Sequence, residues 1–308
     1  MGYARLFCCR SNNIKVGFYW SGPDWYHARE YMSYNYPETK VPPFYNWKHE
    51  KVDFIPPMPD SVRNEIRNIA LGQIHELLTN YGKIDLFWTD GRPEGFTPAD
   101  LRKLQPGAIW GRGGEYATPE TWADMKMKYI KEANRLGYPW ELCDIGNGGS
   151  WHWSEKAEQK GISAAQLITN LAKVRARGGN YLINIAPRPD GEMPHWFYPL
   201  CDQLAVWMKT GGEAIYDINT SGSFPYPDQC AQPVTVGSNA WYVFPDTKPE
   251  TFKQPIVIND VDKPASVTLL RNGAKIPFEF AKRTLTISIP VNQRTDLPDV
   301  LKIKWTKK

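Results

Sequence analysis

The feature that most restricts this chain is a change of rhythm near residue 220. Before it, short apolar runs alternate with helix-period segments; after it, only short strands and turn residues follow. "IKVGFYW" (14–20) reads as a strand. Residues 61–81 read as a helix, because Val62, Ile66, Ile69, Ala70, Ile74, Leu77 and Leu78 recur at helical spacing, with Asp60 or Ser61 placed to cap it and Gly82 to end it. "YGKIDLFWTDG" (81–91) supplies the next strand, and "TPADLRKLQPG" (97–107) a helix with a Thr cap and Pro at its first position. "AIWG" (108–111) and "PWELC" (139–143) are strands. "SAAQ" (163–166) is a capping box opening a helix to about Arg175, where Ser163 and Gln166 satisfy each other's backbone donors and Gly178-Gly179 halt the run. "YLINIAP" (181–187) reads as a buried strand, 194–210 as a helix ending at Gly211-Gly212, and "EAIYD" (213–217) as a last strand.

This β-α-β-α order implies a parallel sheet of roughly six strands with helices outside it. Beyond it, "AWYVFP", "QPIVIND", "ASVTLLRNG", "LTISIP" and "VLKIKW" predict a small antiparallel β-sandwich. The Gly/Ser/Pro-rich stretch "NTSGSFPYPDQ" (219–229) marks the joint, so two domains are expected, 1–218 and 219–308. A chain of 308 residues has room for both.

Composition removes several function classes. Hydrophobic residues make up 42% and charged residues 23%, the formal charge is +4 and no long basic run occurs, so no nucleic-acid partner is expected. Five scattered cysteines form no C-x-x-C pair and five histidines no H-E-x-x-H pair, so neither metal nor cofactor is expected. No apolar run is long enough to span a bilayer. The leader "MGYARLFCCRSNN" lacks the apolar stretch of a signal peptide, so the chain is cytosolic or its true beginning lies upstream. Aromatics stand out, with 13 Trp, 16 Tyr and 12 Phe. Such rings fill cores, and their faces also stack on the C–H faces of sugars.

The apolar strand Ile84–Trp88 ends in Thr89, Asp90 and Gly91. Asp-Gly is a hairpin signal, but "RPEGFTPADL" follows, a loop and a helix start rather than a second strand. An ordinary loop aspartate is the second reading. Catalysis is the third: in a parallel barrel, side chains at the strands' carboxyl ends point into the active site. Trp88 shares Asp90's side of the strand, whereas Asp85 lies at the strand's stability end. Partner acids follow or occupy the next strands: Glu115 and Glu120 in "GRGGEYATPETW" (111–122), and Glu141 in "PWELC". Paired carboxylates beside aromatic rings are the equipment of a glycosidase, one attacking and the other donating a proton; solvated loop charge explains the same acids more plainly.

"KVGFYWSGPDW" (15–25), "YGKIDLFWTDG" (81–91), "GGEYATPE" (113–120), "PWELCDIGNGGSWHW" (139–153), "LITNLAKVRARGGNYLINIAPRPDGEMP" (167–194) and "GEAIYD" (212–217) occur in an order that resembles the retaining α-L-fucosidases of glycoside hydrolase family 29. The resemblance implies a (β/α) TIM-like barrel followed by a β-sandwich, and hydrolysis of terminal α-L-fucose. It implies Asp90 as nucleophile, Glu120 as acid/base with Glu141 as runner-up (or as a residue that binds sugar or supports the site) and Glu115 third, and Tyr19, Trp88 and Glu115 at the sugar site. Trp88 and Trp140 are candidates for an apolar patch under the fucose methyl, and "WHW" (151–153) for a further wall.

The chain departs from the family pattern in lacking the H-W-G-type and H-H-D-G-F-type stretches that precede "KVGFYWS" and hold the fucose hydroxyls. The expectation is therefore a barrel that is N-terminally incomplete, with about six strands. The readings left open are a truncated chain, one that closes its sheet as a homo-oligomer, and an inactive or carbohydrate-binding homologue. The implied partner is a fucosylated oligosaccharide or glycoconjugate; family members are commonly secreted, periplasmic or lysosomal.

Overall fold

A computed structural model describes residues 8–22, 24–34, 42–112, 118, 140–216, 218–219 and 229–305. The chain forms two compact units, residues 1–117 and 118–308.

The first unit is built on a parallel sheet. Strand β1 (Gly17–Ser21) is followed by a short hairpin, β2 (Phe44–Tyr45) and β3 (Lys51–Val52), then helix α1 (Asp60–Thr79), β4 (Leu86–Asp90), α2 (Pro98–Leu104) and β5 (Ile109–Gly111). The sheet order is β1-β4-β5, with Tyr19 beside Trp88, Ser21 beside Asp90 and Trp88 beside Gly111. Parallel pairing brings the carboxyl ends of all three strands to one edge.

One face of the sheet packs on the helices: Trp20, Phe87 and Trp110 join Ile74 and Leu78 of α1 and Leu101 of α2 in one cluster. Helix α1 follows the expected periodicity, but neither Asp60 nor Ser61 caps it; the N-cap is Pro59, with no side-chain bond. Helix α2 starts as expected. Thr97 accepts from the Asp100 amide while the Asp100 carboxylate accepts from the Thr97 amide, and Pro98 stands first. This reciprocal pairing satisfies two backbone donors that a helix start otherwise leaves open.

The second unit contains β6 (Glu141–Ile145), α3 (Glu155–Gln159), α4 (Ala164–Arg175), β7 (Asn180–Asn184) and α5 (Phe197–Gly211). Strands β6 and β7 pair in parallel from Glu141–Asn180 to Ile145–Asn184. Ser163 caps α4, but only half of the expected box forms, because the Gln166 side-chain amide donates to Asn170 Oδ1 at 2.6 Å instead. Strand β7 is not fully buried as its composition suggested; Leu182 is 43% exposed.

Residues 213–216 of "EAIYD" are also not a strand. Gly212–Ala214 continue α5 as a 3-10 turn, with Ala214 fully buried and its carbonyl accepting from Thr235 Oγ1 at 2.7 Å. Burial and that bond hold the segment as a corner. Among the described residues the parallel strands thus number five, in a three-stranded and a two-stranded sheet.

The sandwich belongs to this same unit. One sheet orders β11 (Ser266–Leu269), β14 (Leu301–Lys304), β9 (Trp241–Val243) and β8 (Val234–Val236); the other orders β10 (Ile256–Ile258), β13 (Thr284–Ile287) and β12 (Phe278–Ala281). All neighbours are antiparallel. Inward residues from both sheets, including Val243, Leu269, Leu301, Ile258 and Leu285, make one core. A second cluster joins Ile168, Ala172 and Trp207 of the helices to Tyr242, Phe244 and Val300 of the sandwich. Trp207 Nε1 also donates to the Pro298 carbonyl at 2.8 Å. The sandwich therefore packs on α4 and α5 by apolar burial.

Candidate active site

Strand β4 sorts its side chains by alternation. Phe87 and Thr89 turn to the helices and are fully buried; Leu86, Trp88 and Asp90 turn to the other face. Thr89 is locked beneath the strand end: its hydroxyl accepts from Trp110 Nε1 at 3.0 Å and donates to the Arg112 carbonyl at 3.3 Å. Asp90 is thus carried on an anchored strand end, not on a free loop.

Two groups hold its carboxylate. Tyr19 Oη donates to Asp90 Oδ2 at 2.7 Å, and Arg112 Nη1 lies 2.8 Å from Oδ1. The Asp90 side chain nevertheless stays 41% exposed. The Tyr19 ring stacks on Trp88 with centroids 5.0 Å apart and planes 18° apart, and the Arg112 guanidinium lies 5.3 Å from the Trp88 ring centroid. Partial burial, and next the hydrogen bond to Asp90, push the Tyr19 phenol up to about 12. Tyr19 therefore remains a proton donor at neutral pH.

Trp88 lies across the end of β5, where a Cβ on Gly111 would come within 2.5 Å of its Cδ1. Glycine is needed there by close approach. The next residue, Arg112, has a φ of 48°, which turns the chain after β5. At the sheet's other end Asp85 Oδ2 accepts from the Val16 amide at 2.9 Å, and Lys83 Nζ is 3.3 Å from Oδ1. Asp85 is a structural anchor, as expected, and these bonds, led by the one from Val16, hold its carboxyl below the usual range.

The other sequence candidates fare differently. Glu115 and Glu120 lie outside the described residues. Glu141 is the first residue of β6, half-buried, and accepts from Thr118 Oγ1 at 3.4 Å. That is the amino end of a parallel strand, opposite the end where barrel enzymes gather their chemistry. This position argues against Glu141 as the acid. Trp140 corrects the expectation of an apolar wall. It is 2% exposed, its Nε1 donates to the Arg177 carbonyl at 3.1 Å, and it packs so tightly on Gly179 that a Cβ there would sit 2.5 Å from its ring. A ring with no free face has nothing to offer a sugar. In "WHW", Trp153 is half-buried and donates to Glu158 Oε2 at 3.0 Å.

Asp144, near the carboxyl end of β6, is turned inward. Tyr181 Oη donates to its Oδ2 at 2.7 Å and Asn170 Nδ2 at 3.4 Å. Burial drives the Tyr181 phenol far up, so this cluster is a closed polar network within the packing.

The sequence reading missed Arg112. Its only signal was position: a cation immediately after the carboxyl end of the strand beside β4.

A family model described as alpha-L-fucosidase matches residues 6–213. The chain belongs to the alpha-L-fucosidase family. The plasma alpha-L-fucosidase of Rattus norvegicus is 27% identical over 203 residues, covering 59% of this chain and 40% of the relative. The tissue alpha-L-fucosidase of Mus musculus is 24% identical over 255 residues, covering 76% of this chain and 48% of the relative. The chain thus spans less than half the length of these relatives.

Among solved structures, alpha-L-fucosidase isoenzyme 1 from Paenibacillus thiaminolyticus superposes with a TM-score of 0.68 at 23% identity, covering 98% of this chain and 74% of the other. A Bacteroides thetaiotaomicron alpha-L-fucosidase trapped as a covalent intermediate with 2-fluoro-fucosyl fluoride gives 0.70 at 17% identity, covering 97% of this chain and 70% of the other. At such identities the likeness concerns the fold.

Proposed function

We propose that this chain carries the nucleophile half of a retaining exo-glycosidase that removes terminal α-L-fucose from glycans. One observation supports it above others: Asp90 stands at a rigid strand tip, with one oxygen held by Tyr19 and the other by Arg112, yet open to solvent beside a stacked aromatic wall. Substrate need only settle against Trp88 to bring its anomeric carbon before a carboxylate whose orientation is already set.

In this mechanism one Asp90 oxygen attacks the anomeric carbon as the bond to the leaving oxygen breaks. Glu120, which follows β5 in the sequence, donates its proton to that oxygen, then takes a proton from the water that opens the glycosyl ester. Two displacements give net retention and require carboxyl groups roughly 5–5.5 Å apart. Asp90's negative charge is consumed in forming the ester, and Tyr19 then donates to the ester carbonyl. Trp88 is the candidate for the apolar contact with the 6-deoxy methyl group.

The test is release of nitrophenol from 4-nitrophenyl α-L-fucoside, with peptide mapping after treatment with 2-fluoro-fucosyl fluoride. The expected adduct is on the peptide containing Asp90; an adduct elsewhere sinks the assignment. Calorimetric binding of fucose without turnover would instead favour a carbohydrate-binding homologue.

A further inference from the structure

A cavity of about 350 Å³ opens at the carboxyl end of β1, lined by Ser21, Asp24, Trp25 and Tyr26 on one side and by Ile69 and Gln73 of α1 on the other. We propose that this cavity is a second sugar subsite, which receives a neutral pyranose of the glycan that carries the fucose. This deepens the fucosidase reading and rests on it, since it names the rest of the substrate.

The cavity lies on the helix side of the sheet, between Trp20 and α1, at the same carboxyl-end rim that carries Asp90. Ser21 is the register partner of Asp90, and the Gly22 amide donates to the Asp90 carbonyl at 2.7 Å. Neighbouring strands are about 4.8 Å apart, so the Ser21 backbone at the cavity's edge lies one strand away from that of Asp90.

The aromatic rings are held in place. Asp24 Oδ1 accepts from the amides of Tyr26 and His27 at 3.1 and 2.8 Å, and its Oδ2 lies 2.8 Å from His27 Nδ1. Tyr34 Oη donates to the Trp25 carbonyl at 2.5 Å, and its ring meets Trp25 edge-on at 5.3 Å. The Arg29 guanidinium sits 4.6 Å from the Tyr26 centroid. Tyr26 is nonetheless 69% exposed, with the guanidinium against its ring and the His27 ring edge-to-face with it at 5.2 Å. Rings fixed before binding lose little entropy when a ligand arrives, and a flat aromatic face suits the C–H face of a pyranose.

The polar lining suits a neutral sugar. Gln73 Oε1 accepts from Trp20 Nε1 at 3.3 Å, which sets the plane of an amide at the cavity wall, and Ser21 adds a hydroxyl. The Asp24 carboxylate is engaged in its own turn and with His27. The lining contains no lysine or arginine to meet an acidic sugar.

Two measurements test this. The first compares kcat/KM for 2′-fucosyllactose and 3-fucosyllactose with that for 4-nitrophenyl α-L-fucoside, in the unmodified chain and in Tyr26→Ala and Trp25→Ala. The expected result is about a tenfold loss on the better oligosaccharide, about 1.4 kcal/mol, with the nitrophenyl fucoside changed less than twofold. Equal losses on both substrates, or none on the oligosaccharide, overturn the subsite. The second is saturation-transfer NMR with lactose alone, which needs no hydrolysis. Lactose protons should receive saturation from the unmodified chain and lose it in Tyr26→Ala; no transfer to the unmodified chain overturns the subsite. A chain that fails to cleave any fucoside but still passes the lactose test defeats the hydrolase reading and leaves a sugar site standing.

Discussion

In β4 of the first unit, Phe87 and Thr89 are buried against helices while Leu86, Trp88 and Asp90 face the other way. In β13 of the sandwich, Leu285 and Ile287 are buried between the sheets while Thr284 and Thr286 are half-buried on the outer face. The alternation is the same. The sandwich strand places threonines outward, residues that pair across strands and tolerate water. The β4 strand places a tryptophan and an aspartate outward, and the neighbouring strand adds Tyr19 in register with the tryptophan. A large aromatic and a charge on the less buried face contribute little to packing, so their presence there calls for a functional reason. The two sheets teach that the outward residues, not the buried ones, separate a working face from a supporting face.

Four changes probe that contrast. Asp90→Ala should lower turnover of 4-nitrophenyl α-L-fucoside by at least about 10³-fold, as expected when a group acting in a covalent step is removed, with little change in the melting temperature. Retained activity would place the chemistry elsewhere. Leu285→Ala should do the reverse: a loss of about 3 kcal/mol in denaturant unfolding, from lost burial and the cavity left behind, with kcat/KM per folded molecule unchanged. Equal effects on both quantities would mean that the two regions are not functionally separate.

Cys230, in the sandwich core, tests burial through pH. Burial pushes its thiol up to about 11, against roughly 8.5 when unfolded. Between those values the unfolded state has lost a proton that the folded state keeps. Stability is therefore full below about pH 8.5 and declines as pH rises toward 11, by about 2–3 kcal/mol for one such group. Cys230→Ala should flatten unfolding free energy against pH in that window; an unchanged slope would assign the loss to other groups. The smallest effect expected is that of Tyr19→Phe. Removing one hydrogen bond to the Asp90 carboxylate should lower kcat/KM about tenfold, or about 1.4 kcal/mol, while the Trp88 stack persists. No change would mean that Arg112 alone orients the carboxylate.

Much of this was legible beforehand. The strands at 14–20, 81–91 and 108–111, the α1 periodicity and the Thr97 cap are local signals, and local geometry carried them through. The place of Asp90 followed from strand alternation and the parallel order. Two sandwich strands, Val234–Val236 and Phe278–Ala281, escaped because they are short, although each pairs with the strand next along the chain. "EAIYD" misled because its apolar content serves a buried corner between α5 and the sandwich.

Residue order alone determined that a carboxylate would stand at the carboxyl end of an apolar strand with a tryptophan on its side, because period-two alternation leaves no other arrangement within a strand. Only the tertiary structure decided that Tyr19 and Arg112, 71 residues before and 22 after in the chain, would each hold one of its oxygens. It alone decided, too, that Trp140 would be core and Glu141 would stand at a strand's amino end. Hydrogen bonds and close packing between distant segments depend on sheet register and on which faces are covered, and neither is written in any local run of residues.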